Sequence, residues 1–139
     1  MKKQKIERQQ LLSTLWTFVL FNMIFRDLHQ LGKKGFLEEI MTGMVNGIKI
    51  TEELMLFGGF LAEIPILMVL LSKTLNAKAN KWTNIIASVI TILVLLTNLP
   101  SADMDDIFFT IIESAAFLAI IIIAWKLPSH NKTNSQFSI

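Results

Sequence analysis

The sequence predicts an all-α membrane protein, a bundle of four transmembrane helices with a short amphipathic helix in the first external loop. Three observations carry that prediction. The 139 residues are 53% hydrophobic, with a mean hydropathy of +0.54. The apolar residues fall in four blocks, 11–31, 51–72, 82–99 and 106–125, each close to the roughly 20 residues that cross about 30 Å of hydrocarbon. Charges gather at the block ends, the membrane pattern rather than that of a soluble core. Four spans and short links use nearly all the residues, so a single transmembrane domain over 11–126 is expected.

Residues 1–10 read as a basic tail carrying Lys2, Lys3, Lys5 and Arg8. Span one is expected to be retained rather than cleaved. It runs through Asn22 into Arg26 and Asp27 without a small-residue cleavage site. In the first loop, Phe36-Leu37, Ile40-Met41 and Met44-Val45 recur at helical spacing, with Glu38, Glu39, Thr42 and Asn46 between them. That predicts an amphipathic helix over 36–46, stopped by Gly47, which packs over the span ends or acts as a lid. Span two opens with Thr51, a good N-cap, followed by Glu52 and Glu53 at the positive end of the helix dipole. Pro65 has no N–H for the carbonyl of Leu61 and is expected to kink this helix beside Glu63, an arrangement also found in the interrupted helices of transporters. Residues 72–81 read as a polar hairpin, and span three follows. Asp103, Asp105 and Asp106 cap span four. The same three carboxylates form a weaker alternative as a divalent-cation site with hard oxygen ligands. The segment 127–139 reads as a flexible polar tail.

Charge sets the expected topology. Lys2, Lys3, Lys5, Arg8, Lys73, Lys78, Lys81, Lys126 and Lys132 fall on one side, against Lys33, Lys34 and Lys49 on the other. The positive-inside rule then places both termini in the cytoplasm of a multi-pass inner-membrane protein. Trp16, Trp82 and Trp125 all lie near the expected cytoplasmic ends, where indole rings favour the headgroup level. The absence of cysteine removes disulfides, thiolate nucleophiles and cysteine-based metal sites. The basic residues sit at membrane edges rather than in a patch, so nucleic acid is not an expected partner.

Each span carries one polar line at helical spacing. Span one aligns Asn22, Arg26 and His29; span two, Glu52, Gly59 and Glu63. Span three aligns Asn84, Ser88, Thr91 and Asn98; span four, Asp106, Thr110 and Glu113. The simplest packing turns all four lines inward. Arg26 is the only cation inside a span, so a salt bridge from Arg26 to Glu113 or Glu63 is expected. A charge at such depth costs at least about 2.5–3.5 kcal/mol on insertion scales, and the acid left without a cation is a candidate proton carrier. Arg26, Glu63, Glu113, Asn22 and Asn98 form the candidate ligand- or proton-binding set. Asn22, Ser88, Thr91 and Asn98 also read as interhelical glue. His29 and His130 are too far apart in the chain to suggest a haem site, and no cofactor is expected.

The stretches LSTLWTFVLFNMIFRDLHQ, FLEEIMTGMVNGIKITEELMLFGGFLAEIPILMVLLS, KANKWTNIIAS and DMDDIFFTIIE resemble a bacterial family of small four-span proteins known only as a domain of unknown function. In layout alone the chain is similar to the DoxX-like four-span proteins. The resemblance covers about residues 11–126. It implies a membrane location and a four-helix fold, and it transfers no ligand or catalytic residue.

Three function classes follow. The leading one is an accessory or structural membrane subunit with a polar core. The alternative is a small proton-coupled transporter or ligand-binding bundle using the buried Glu and Arg, which would need to dimerise. The third, an intramembrane enzyme, has no G-x-S-x-G, H-E-x-x-H or phosphate-loop motif behind it. Expected partners are the lipid bilayer and either a second copy or an unidentified membrane protein.

Overall fold

The computed structural model describes residues 2–45, 47–98 and 102–127. In chain order it contains α1 (Lys2–Gln30), α2 (Phe36–Met41), β1 (Met44–Val45), β2 (Ile48–Lys49), α3 (Glu52–Thr74), α4 (Ala77–Asn98) and α5 (Met104–Trp125). The four long helices are all long and apolar enough to cross a membrane, and the chain is a membrane protein. They run alternately up and down. The start of α1, the α3–α4 turn and the end of α5 form one end, here the basic end. The hairpin, the end of α1 and the start of α5 form the acidic end.

The helices extend further than hydropathy alone suggests, because polar residues build their outer turns. Residues 2–10 are helical rather than a separate tail. They are tied down where Gln9 Nε2 donates to the carbonyl of Leu75 at 2.8 Å and the Arg8 guanidinium donates to the carbonyl of Lys126. The expected polar link 72–81 shrinks to Leu75 and Asn76. Asn76 caps α4, its Oδ1 accepting from the N–H of Ala79 at 3.0 Å, so the polar residues 77–81 become helix. At the acidic end Thr51 Oγ1 accepts from the N–H of Leu54 at 3.2 Å, and Asp103 and Asp106 form a reciprocal capping box on α5. The expected tail lies outside the described residues, apart from Leu127.

The amphipathic helix predicted over 36–46 ends at Met41. Gly43 and Gly47 both adopt left-handed φ of 76°, and Met44–Val45 pairs antiparallel with Ile48–Lys49. Asn46 lies outside the described residues. The Glu39 carboxylate accepts from the N–H of Gly47 at 3.2 Å, folding the hairpin back on α2. The helical spacing of Met44 and Val45 therefore belongs to a strand. α2 buries no residue, and Met41 is 87% exposed.

In the bundle, α1 lies between α3 and α5, and α4 packs chiefly on α5. The apolar core joins Leu12, Trp16 and Val19 of α1 to Met68 of α3, Ala87 and Leu95 of α4, and Phe117, Ile120 and Ala124 of α5. The Trp16 and Phe117 rings meet edge to face with centroids 5.7 Å apart. Trp16 is fully buried, which corrects its expected place at the headgroup level: its neighbours on α1, Leu12 and Val19, share the inward face. Trp82 and Trp125 are exposed, and the Lys81 ammonium stands 4.0 Å from the centroid of the Trp125 ring.

Candidate functional site

α1 and α5 bring together the two charged side chains of opposite sign that the spans hold inside. Arg26 Nη1 donates to Glu113 Oε2 at 2.9 Å. The Glu113 side chain is fully buried and that of Arg26 is 14% exposed. The guanidinium also has Asp27 Oδ1 3.7 Å from its Nε, with Asp27 turned outward. Glu113 Oε1 is buried and has no hydrogen-bond partner among the described residues, and the same holds for Ser88 Oγ. The site is thus an ion pair with one carboxylate oxygen satisfied and one left as a bare acceptor, the position at which a proton or a water would be received.

A second charged cluster lies nearer the acidic end and also joins α1 to α5. Lys33 Nζ stands 2.6 Å from Asp103, 3.1 Å from Asp106 and 3.8 Å from Asp105. Gln30 Nε2 donates to Asp106 Oδ1 at 3.0 Å, and His29 Nε2 lies 3.3 Å from Asp105. The three carboxylates lie within 4.8 Å of one another, a spacing compatible with a cation. The ammonium of Lys33 already supplies positive charge at that point. Its hydrogen bond holds the Asp103 carboxyl well below the usual carboxylate range. Partial burial works against the Lys33 charge, but the bonds to Asp103 and Asp106 outweigh it and raise the pKa of the amine.

Toward the basic end the polar groups are neutral. Trp16 Nε1 and Ser72 Oγ both donate to Asn84 Oδ1, at 2.7 and 3.1 Å. Asn84 Nδ2 donates to the carbonyl of Asn80 at 2.8 Å, Asn80 Nδ2 donates to the carbonyl of Ser72 at 2.6 Å, and Ser13 Oγ donates to the carbonyl of Val69 at 2.7 Å. This network ties α1, α3 and α4 together. Of its members only Asn84 was placed on a polar line by sequence reasoning. Asn80 precedes the apolar block 82–99 and so falls outside the span that hydropathy predicts, although Asn80 and Asn84 share a face one turn apart.

The structure separates the other candidate residues. Asn22 is half-buried and donates to the carbonyl of Phe18 in its own helix at 2.9 Å, so it joins no second helix through that bond. Thr91 is buried and likewise bonds back, to the carbonyl of Ala87 at 2.9 Å. Asn98 closes α4, and its side chain lies outside the described residues. Glu63 is corrected: it is exposed and does not reach the interior. The face of α3 that turns inward carries Pro65, Met68 and Ser72. At 100° per residue Glu63 lies about 140–200° around the helix from that stripe. Gly59 and Glu52, on the same line as Glu63, are exposed with it. The cavity at the basic end, about 490 Å³ and lined by Ile6, Gln9, Gln10, Thr14 and Lys73, touches none of the five candidate residues.

Residues 2–133 match the family described as "Family of unknown function (DUF6326)", and the chain belongs to it. No curated protein and no solved structure matches the chain significantly.

Proposed function

We propose that this DUF6326 member is an accessory or structural subunit of a membrane assembly, with its basic end toward the cytoplasm. The orientation is supported by the distribution of Lys and Arg. The role is supported by one observation above the rest: Ser13, Trp16, Ser72, Asn80 and Asn84 direct their hydrogen bonds to neighbouring helices or to one another rather than into a cavity. Such bonds hold helices in register, each contributing about 0.6 kcal/mol on average.

A second reading is favoured by the bare Oε1 of Glu113. A buried carboxyl with one unengaged oxygen suits a proton-handling site, with Arg26 as its counter-ion. Reconstitution into vesicles containing a pH dye decides between the two. The structural role expects proton flux no higher than in empty vesicles, with Glu113→Gln altering only thermal stability. Flux that Glu113→Gln abolishes in a normally folded protein would replace the structural role with the proton-handling one.

A further inference from the structure

The acidic-end half of α3 buries no side chain among the described residues. Every residue from 51 to 60 is exposed, and the inward stripe begins only at Pro65. A Cβ added at Gly58 or Gly59 would meet nothing within 4 Å. Exposed Leu and Phe in a membrane protein need nothing more than lipid. Glu63 is different. It lies about 16 Å along α3 from Glu52, near the middle of a 23-residue helix. It is exposed on the lipid-facing surface and has no hydrogen-bond or ion-pair partner among the described residues. Arg26, the cation inside the spans, is already engaged by Glu113. Such a carboxyl in hydrocarbon needs a partner from outside the protomer.

We propose that α3 packs against α3 of a second copy about a two-fold axis, with the two Glu63 carboxyls hydrogen-bonded across the axis and Gly59 at the closest approach. A two-fold axis sets the same patch against itself, so the patch must be self-complementary. A carboxyl group meets that condition, because it both donates and accepts once the pair shares at least one proton. Gly59 lies one turn from Glu63 on the same line, and bare glycines let two helix backbones approach closely. Leu56, Leu67 and Leu70 extend that line and are 64%, 46% and 61% exposed. A different protein would have to bring a mid-bilayer group of its own, a cation or a hydrogen-bonding side chain, to meet Glu63. A second copy needs no further charge. The pairing stands apart from whatever role Arg26 and Glu113 play.

The chain contains no cysteine, so single cysteines report self-contact directly. In native membranes, oxidation of Leu56→Cys, Gly59→Cys and Leu67→Cys is expected to give covalent dimers of this chain. Phe25→Cys and Leu118→Cys, exposed on other helices, should give none. In bilayers, Glu63→Leu and Gly59→Leu should each weaken association by roughly tenfold, whereas Glu63→Gln, which still donates and accepts, should stay within about threefold. The melting of the detergent-solubilised monomer should not change in Glu63→Leu, because the side chain touches no partner there. Cross-linking at the α3 positions no stronger than at the controls would overturn the proposal. So would undiminished association of Glu63→Leu, or adducts formed only with a different protein.

Discussion

Toward the basic end, Trp16, Ser72, Asn80 and Asn84 satisfy one another with neutral bonds no longer than 3.1 Å, and all four are buried. Toward the acidic end, one ion pair spans α1 and α5, a lysine and three aspartates hold the mouth, and α3 buries nothing before Pro65. The two halves meet the same constraint, that polar groups in hydrocarbon must be satisfied, by different means. Neutral bonds add in small increments and tolerate the loss of one. A buried ion pair depends on both members, because either one left alone is an uncompensated charge.

The largest expected effect separates these two regimes. Arg26→Met or Glu113→Leu alone should destabilise the bundle by about 3–5 kcal/mol in chemical denaturation, and the Arg26→Met/Glu113→Leu double variant should recover most of that loss. A double variant as damaged as the sum of the singles would remove the ion pair as the cause. In the neutral half, Asn84→Ala leaves the Trp16 N–H and the Ser72 hydroxyl without their acceptor, and a loss of about 1–3 kcal/mol is expected. Trp16 donates one bond to an acceptor it shares with Ser72, so Ser72→Ala should cost less, about 0.6 kcal/mol, with Asn84 still held by Trp16. Costs in the reverse order would abolish the contrast between the halves.

The smallest effect concerns the acidic mouth. Asp103 titrates below its ordinary 3.8, so its contribution is complete above that value and disappears as pH falls below it. Lys33 titrates above its ordinary 10.5, so its contribution is complete below that value and disappears as pH rises past it. Amide hydrogen exchange at the start of α5, corrected for its intrinsic pH dependence, should therefore show constant protection between about pH 5 and 9. Lys33→Met should speed that exchange while leaving global unfolding nearly unchanged, since exposed ion pairs contribute little. A protection step within that window would remove the pairing of Lys33 with Asp103 as what holds the mouth.

Several features were legible from residues alone. Thr51 and Asp103 mark helix starts because a cap is a contact between near neighbours in the chain. The hairpin at 44–49 had a signal too, the Asn46-Gly47 dipeptide, which competes with the helical spacing of Met44 and Val45. That Arg26 pairs with an acid inside the spans followed from charge, with Glu113 and Glu63 both open to it, and packing selected Glu113. Glu63 lies on the opposite face from the one its polar line predicts. The assumption that a polar line turns inward holds only where a helix is packed along its whole length, and α3 is packed over only its basic-end half.

Span number, approximate span length and capping are local properties, governed by hydropathy and by hydrogen bonds a few residues apart, and the amino-acid order carries them in full. Which face of α3 turns inward, whether Trp16 meets lipid or Asn84, and which acid takes Arg26 depend on groups dozens of residues apart. Those choices are made when the helices pack, because the free energy of each contact depends on a neighbour that only the assembled bundle supplies.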